Sequence, residues 1–160
     1  DLYEWILLKI IDFYNQISAL YYPISSFCTK ESCPLMSAGP KYLYRWMDGK
    51  KYLKPVDLPA CEYIDALFDW VDEKTSPLLE MDGVFPEDFD LLSKKIIQRL
   101  FRFYAHCYYH HMEEMEEINI LPHVNFSFKL FIYFVREFDM IPQNQLEPLK
   151  PIIDKMIEQQ

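Results

Sequence analysis

The chain has few glycines and no long apolar run, and each shortage excludes a class of protein. Glycine occurs only 3 times in 160 residues, which excludes a glycine-rich, low-complexity chain. No apolar run approaches the roughly 18 residues that a membrane-spanning helix needs. No basic start followed by an apolar stretch indicates a signal peptide. We therefore expect no insertion into a membrane.

Basic residues are also in short supply, and this indicates the kind of partner. The chain has 16 Lys and Arg against 25 Asp and Glu, giving a net charge of −9. A nucleic-acid binder needs basic stripes that neutralise phosphates, so we expect no nucleic-acid partner. An acidic protein instead attracts basic segments, such as a Lys/Arg-rich peptide or domain.

Cysteine is scarce too, with 4 residues. Two disulfides in a secreted domain would account for them, but a chain of this length buries enough core to fold without such cross-links. Cys61 and Cys107 also lie in helical patterns, where a buried thiol is the ordinary interpretation. We expect reduced thiols and an intracellular protein.

Apolar periodicity predicts an all-α, single-domain helical bundle over residues 1–160 with a small β-hairpin. The cysteines and histidines described below add one structural zinc site to this prediction. Asp48-Gly49, flanked by alternating aromatic and polar residues, predicts the hairpin over 42–54. Asp57 and Pro59 predict the start of the second helix, and 75–86 is expected to be a loop. The expected helices cover 1–21, a segment after 57, a long segment from 89 past 107, about 123–138 and about 149–158.

The first predicted helix has two stripes. Ile6, Ile10 and their neighbours at helical spacing form a core face. Beside it run Trp5, Leu8 and Asp12, with Glu4 at the edge. Trp5 is either a residue that flanks the core or an aromatic anchor ringed by carboxylates on a docking face.

Two distant segments carry ligands for a metal ion. Cys28 and Cys33 lie in a turn that Pro34 ends, and three of the four histidines, His106, His110 and His111, lie within six residues of the long helix. Two thiols and two imidazoles form the tetrahedral shell that Zn²⁺ prefers. On an ideal helix His106 and His110 share a face, whereas His106 and His111 lie about 140° apart. Local geometry therefore favours His110 as the fourth ligand.

A shell of four side chains is full, which predicts a structural rather than a catalytic metal. No metalloprotease, P-loop, nucleophile-elbow or dinucleotide motif occurs in the sequence. Cys107 lies on the apolar face of its helix, where a reactive thiolate is disfavoured. We therefore expect no catalytic residue.

Lys95, Arg99 and Arg102 line one face of the long helix at i, i+4 and i+7. Such a run is usually a solvated face paired with carboxylates. Alternatively, two guanidiniums on adjacent turns can bind a phosphate of a phosphoserine or phosphothreonine peptide.

Several of these segments together resemble one family. The runs 27–40 (FCTKESCPLMSAGP), 44–49 (YRWMDG) and 99–106 (RLFRFYAH) resemble the Mob (Mob/phocein) kinase-activator family. The resemblance extends over 1–149, nearly the whole chain. The runs 36–40 and 44–46 are closer to the branch that activates NDR/LATS kinases than to phocein.

The resemblance implies a mostly helical adaptor without catalytic activity that carries one structural zinc ion. It implies Cys28, Cys33, His106 and His111 as the zinc ligands, and hence a helix that loses regularity near His111. It also implies a cytoplasmic location, with the nucleus and the spindle poles or centrosomes as further sites.

Two partners are implied as well. One is an NDR/LATS-type AGC kinase in Hippo or mitotic-exit signalling, and the other is a phosphorylated peptide of an upstream kinase or scaffold. The basic N-terminal regulatory segment of the kinase would bind Glu4, Trp5, Leu8 and Asp12. The phosphopeptide would bind Arg99, Arg102 and Gln98, the last at a position where the family often has Lys. A phosphopeptide-reading scaffold that activates no kinase and a zinc-dependent hydrolase are the alternatives.

Overall fold

The computed structural model describes residues 1–158, and helices dominate these residues, as the periodicity predicts. No helix among them is long and apolar enough to cross a membrane. In chain order, a two-stranded antiparallel sheet follows the first helix and precedes the second. The elements in chain order are α1 (Leu2–Ile24), β1 (Ser37–Ala38), β2 (Tyr42–Leu43), α2 (Ala60–Glu80), α3 (Phe89–His110), α4 (Met112–Glu117), α5 (Leu121–Phe138), α6 (Gln143–Leu146), a 3₁₀ turn (Glu147–Leu149) and α7 (Lys150–Glu158).

Helices α1 and α3 pack against each other at the centre, with α2 against both and α5 against α1. Aromatic side chains join these helices. Phe13 of α1 is fully buried against Phe131 of α5, with ring centroids 5.3 Å apart. Tyr104 of α3 packs on Phe128 and on Phe131, at 4.9 and 5.1 Å. Each such pair contributes about 0.5–1.5 kcal/mol beyond its buried area, so the high aromatic content serves the core.

Helix α1 begins as predicted and ends later. The Asp1 side chain accepts a hydrogen bond from the Tyr3 N–H at 3.4 Å, which caps the first turn. The helix continues to Ile24 although Pro23 lies inside it. Proline removes one backbone donor, and in the last turn this loss is small because few further bonds depend on it.

Helix α2 departs from the prediction at both ends. Asp57 is not its N-cap, because its carboxylate pairs with the Arg45 guanidinium at 2.9 Å. Pro59 is the capping residue, and the Ala60 N–H donates to the Cys33 carbonyl at 3.0 Å, so the helix start is tied to the cysteine turn. The helix also runs through Pro77 into the predicted loop.

The hairpin lies earlier than predicted, because the regular pairing joins β1 to β2. The Asp48 carboxylate accepts the backbone N–H groups of Lys50 and Tyr52, at 2.8 and 2.9 Å. These donors are therefore unavailable for a strand ladder. Only an isolated bridge between Trp46 and Val56 flanks this turn within residues 1–158.

Candidate metal centre and recognition surfaces

The turn between α1 and β1 presents two thiols to the interior. The Cys33 N–H donates to the Thr29 carbonyl at 2.9 Å, and the Ser32 hydroxyl donates to the Phe27 carbonyl at 2.7 Å. These bonds close the turn locally. Cys28 and Cys33 are both buried, and all four cysteines of the chain are free thiols, as expected.

The second pair of ligands comes from the end of α3. The helix stops at His110, and His111 has φ −131° and ψ 19°, between α3 and α4. This break changes the direction of the His111 side chain and brings its ring to 5.2 Å from the His106 ring. The helix therefore loses regularity at His111, as the resemblance implied.

The four side chains converge on one point. The ligand atoms of Cys28, Cys33, His106 and His111 all lie within 4.8 Å of one another, and all four residues are buried. Sγ of Cys28 is 3.6 Å from Nε2 of His106, and Sγ of Cys33 is 3.5 Å from Nε2 of His111. A tetrahedral zinc site with ordinary bond lengths has sulfur–nitrogen edges of about 3.5 Å. The cluster fits one metal ion.

Both imidazoles are oriented through their other nitrogen. Nδ1 of His106 lies 2.8 Å from the Ser37 carbonyl, which only accepts, so Nδ1 carries the proton and Nε2 offers its lone pair to the cluster. Nδ1 of His111 lies 3.4 Å from the Glu114 carboxylate. Carbonyl and carboxylate partners of this kind are usual behind metal-bound histidines. Neither Ser37 nor Glu114 could be predicted from sequence patterns, since their role depends on contacts across the fold.

Burial disfavours any charge on the cluster when no metal ion is bound. It lowers the pKa of His106 to about 3, so that ring is neutral. Burial, and then the neighbouring Cys33, raises the pKa of Cys28 to about 12. A thiolate here is therefore costly unless a positive ion compensates it, and a bound metal supplies that charge.

His110 lies outside the cluster, so the ideal-helix argument in its favour is wrong. Its Nε2 accepts hydrogen bonds from the Gly39 N–H at 3.2 Å and the Ser37 hydroxyl at 3.1 Å. Gly39 has φ +73°, and a Cβ there would lie 2.9 Å from the Tyr109 ring. His110 and Tyr109 thus hold the β1–β2 turn against α3, while His111 turns inward.

The second stripe of α1 is an exposed surface, which we call the α1 face (Glu4, Trp5, Leu8 and Asp12). Trp5 is 43% exposed and Leu8 60% exposed. Glu4 and Asp12 are exposed as well, and the Asp12 carboxylate accepts a hydrogen bond from the Gln16 amide at 3.1 Å. The inner side of the Trp5 ring packs on Phe138 at 5.3 Å and on Phe134 at 6.0 Å. Trp5 is therefore both a residue that flanks the core and an exposed aromatic.

Arg99 is buried, which the sequence pattern did not predict. Its guanidinium contacts both the Trp46 and the Trp70 ring, which are nearly perpendicular to each other, at 4.6 and 4.3 Å from their centroids. One terminal nitrogen donates to the Met47 carbonyl at 2.7 Å, and the other is buried without a hydrogen-bond partner among residues 1–158. Burial lowers the pKa of Arg99, and its surroundings are those of a structural side chain.

Arg102 and Gln98 are more accessible. The Arg102 guanidinium donates to the Tyr63 hydroxyl at 2.6 Å and lies over the Tyr44 ring at 5.1 Å. The Gln98 amide donates to the Met140 carbonyl at 3.4 Å. The structure places these two predicted residues at one cavity, which the Arg99 side chain does not line. They share a cavity of about 170 Å³ with Tyr42, Tyr44, Phe101, Asn144, Gln145 and Pro148.

The fold and the cluster define a class of protein. The chain is a helical protein in which a buried Cys₂His₂ cluster links the turn after α1 to the end of α3. The model of the Mob1/phocein family matches residues 1–149. The chain belongs to the Mob1/phocein family, which confirms the resemblance seen in its motifs.

Named relatives agree with this assignment. MOB kinase activator 3B of Homo sapiens is 42% identical over 162 residues, covering 98% of this chain and 74% of the relative. MOB kinase activator 3A of Pongo abelii is 41% identical with the same coverages. MOB kinase activator-like 1A of Arabidopsis thaliana is 39% identical, covering 98% of this chain and 75% of the relative. These are names of kinase regulators rather than of enzymes, in agreement with the expected lack of catalysis.

Proposed function

We propose that this protein is a non-catalytic, single-domain adaptor that activates a serine/threonine kinase of the NDR/LATS type. The family and the names of the relatives support a kinase partner. The observation that carries the proposal is the α1 face, on which Trp5 and Leu8 are exposed between Glu4 and Asp12. The basic N-terminal regulatory segment of the kinase binds there, and its ordering shifts the kinase towards its active population.

The α1 face has the physical properties of a binding site for a basic segment. Phe134 and Phe138 hold the Trp5 ring from behind, so little side-chain entropy is lost when a partner covers it. The carboxylates of Glu4 and Asp12 favour association with positive charge.

Replacement of Glu4, Trp5 and Asp12 by Ala is expected to abolish binding of the basic segment. Trp5→Ala alone should raise the Kd at least about tenfold. An exposed aromatic side chain that is held in place by its neighbours is a typical binding hot spot. Fluorescence anisotropy with a labelled peptide of an NDR/LATS-type N-terminal segment measures both effects. Tyr22→Ala is the matched control, since Tyr22 is an 84% exposed aromatic on the same helix, about 26 Å further along. Retained binding by the triple variant would refute the assignment of this surface.

We infer that the metal is zinc and that its role is structural. Two thiolates and two imidazoles are a usual donor set for structural zinc, and four side chains leave no position for a reactive water. This donor set therefore favours the adaptor over a zinc-dependent hydrolase. Bound at Cys28, Cys33, His106 and His111, the ion ties the turn after α1 to the end of α3.

Zinc affinity is expected to fall as the pH is lowered. Between pH 6 and 8 the metal-free protein holds a proton on Cys28, whose pKa is raised to about 12, and none on His106, whose pKa is lowered to about 3. Because Cys28 binds the metal as a thiolate, binding releases at least one proton. The Kd should then rise at least about tenfold for each unit of pH decrease. Competition with a chromophoric chelator at pH 6, 7 and 8 measures this, and a pH-independent Kd would exclude thiolate ligation by Cys28.

A second candidate function is recognition of phosphorylated peptides, which the cavity beside Arg102 and Gln98 favours. Arg102 supplies a half-buried guanidinium at its wall and Gln98 an amide donor. A phosphate pairs with a guanidinium through short, charge-assisted hydrogen bonds. We propose that Arg102 and Gln98 make the direct contacts and that Arg99, held by its tryptophans, adds positive charge behind them.

Substitutions at the two positions should have opposite effects on phosphopeptide binding. Arg102→Ala is expected to remove the preference for a phosphorylated peptide over its unphosphorylated form. Gln98→Lys is expected to strengthen that preference several-fold, because it adds a charge beside the phosphate. Isothermal titration with matched peptide pairs tests both changes. Equal preference in the wild-type protein and in Arg102→Ala would contradict the site.

Phosphatase treatment of the partner separates a pure phosphopeptide scaffold, which loses all binding, from a kinase activator.

A further inference from the structure

A second exposed apolar surface lies between α5 and α7. A groove of about 400 Å³ separates the two helices, with α3 and α4 behind it. On α5, Leu121, Asn125 and Lys129 follow one another at four-residue spacing, and Phe126 lies beside Asn125. On α7, Ile152, Lys155 and Met156 lie within one turn, at three to four residues. We call it the α5–α7 groove, and define it by Leu121, Phe126, Lys129, Ile152, Lys155 and Met156.

The groove exposes a large aromatic residue. Phe126 is 65% exposed, although the rest of the aromatic content of α5 is largely used in the core. It precedes Phe134, which supports Trp5, by eight residues, or about 12 Å along the helix. Met156 stands on the opposite wall of the groove, and methionine adapts its shape to different apolar partners. An exposed aromatic within an apolar concavity is typical of an interaction site.

The charged residues that line the groove are positive, whereas the net charge of the protein is negative. Lys129 and Lys155 both line it, and neither takes part in an ion pair with another residue of the described range 1–158. The net charge of the chain is −9, so two unpaired lysines flanking an apolar groove are a local exception. Asn125 accepts a hydrogen bond from the Tyr108 hydroxyl at 2.7 Å through its Oδ1, which fixes the amide and leaves its NH₂ group as a donor.

We propose that the α5–α7 groove binds a short acidic segment of a partner protein. An apolar side chain of that segment packs between Phe126 and Met156, and its carboxylates pair with Lys129 and Lys155. The positive charge of these lysines disfavours the basic kinase segment proposed for the α1 face. The groove therefore serves a different partner, and one adaptor can hold a basic and an acidic segment at once.

A display selection tests the proposal with random peptides in place of the partner. A library of 12-residue peptides is selected on the wild-type protein, after removal of peptides that bind Phe126→Asp. The enriched peptides are expected to combine Asp or Glu with Leu, Ile or Phe. The double variant Lys129→Glu, Lys155→Glu takes no part in the selection and is used only afterwards. It should raise the Kd of these peptides at least tenfold, and added salt should weaken binding to the wild-type protein.

Matched controls and contrary results follow from the same experiment. Leu53→Asp and Lys54→Glu change an exposed apolar and an exposed basic residue outside the groove, and both should leave the Kd unchanged. Failure to enrich acidic peptides, or equal binding to the double-lysine variant, would overturn the proposal. So would sedimentation showing that the wild-type protein alone dimerises and that Phe126→Asp does not, or flotation with anionic phosphatidylserine vesicles that the lysine reversals abolish. The first result would assign the groove to a second copy of the chain, and the second to a membrane surface.

Discussion

Replacement of Cys33 by Ser is expected to abolish zinc retention and to lower the free energy of unfolding by at least about 4 kcal/mol. This is the stabilisation that a ligand supplies at a thousand times its Kd, a modest requirement for a buried Cys₂His₂ shell. In a chain of this length the change corresponds to a fall in the melting temperature of about 10 °C. Calorimetry together with elemental analysis of the purified protein measures both effects.

The physical reason is that the ion bonds the two thiols of the turn to the two imidazoles at the end of α3. No coordinate bond joins these four side chains in its absence. Burial opposes a thiolate at Cys28. Without the ion, the turn that carries both thiols is held by its own local hydrogen bonds and by the bond from the Ala60 N–H to the Cys33 carbonyl. Cys61→Ser is the matched control, because Cys61 is a half-buried free thiol outside the cluster. It should retain one equivalent of zinc. If Cys33→Ser melted at the wild-type temperature, the structural role of the site would be wrong.

Arg99→Ala is expected to have the second largest effect, a loss of about 3 kcal/mol of stability. A desolvated cation–π contact is worth about 2 kcal/mol, and a hydrogen bond from a charged group about 1.5–3 kcal/mol. Arg99 makes two such cation–π contacts, with Trp46 and Trp70, and one such bond, to the Met47 carbonyl. The contacts are not additive, so the expected loss is smaller than their sum. Urea unfolding followed by tryptophan fluorescence measures it.

Arg99→Lys should recover little of this stability, because a lysine ammonium lacks the planar, forked guanidinium that contacts both rings and donates to the Met47 carbonyl at the same time. Lys95→Ala is the control, since Lys95 is an exposed cation one turn earlier on α3 whose Nζ lies 5.8 Å from the centroid of the Trp70 ring. Loss of this exposed contact should cost no more than about 1 kcal/mol. Stability of Arg99→Ala equal to that of the control would show that Arg99 is a surface residue. If Arg99→Ala loses stability, a change in its phosphopeptide binding has two possible causes. Phosphopeptide binding is therefore better tested at Arg102.

The elements that could be predicted from the sequence are those whose signal is local. The apolar stripes that contain Ile10 and Phe103 predict α1 and α3, because one face of each helix is buried along its length. Cys28, Cys33 and the histidine cluster predict a metal site because two thiols and two imidazoles are the donor set that structural zinc prefers. The sequence predicts Trp5 either as an aromatic anchor on a docking face or as a residue that flanks the core. It does not separate the two, because one side of the ring is covered by α5 and the other is exposed.

The features that the sequence did not predict depend on distant partners. Local helix geometry favours His110, whereas the family resemblance implies His111. The choice between them depends on the end of α3, where the β1–β2 turn binds the His110 ring. Arg99 looked like a surface cation because the two tryptophans that enclose it come from the 44–49 segment and from α2. Asp48 predicted a hairpin from its turn, yet its carboxylate binds the backbone groups that such a hairpin would use.

The most direct test of the adaptor function is the activity of a purified NDR/LATS-type kinase with and without this protein. The rate of substrate phosphorylation is measured as the zinc-loaded protein is added, and again with the Glu4, Trp5 and Asp12 triple alanine variant. We predict a saturable increase in rate, with half of the effect at the Kd of the basic segment and no increase with the variant. An unchanged rate at a concentration that saturates the basic segment would contradict the proposed function.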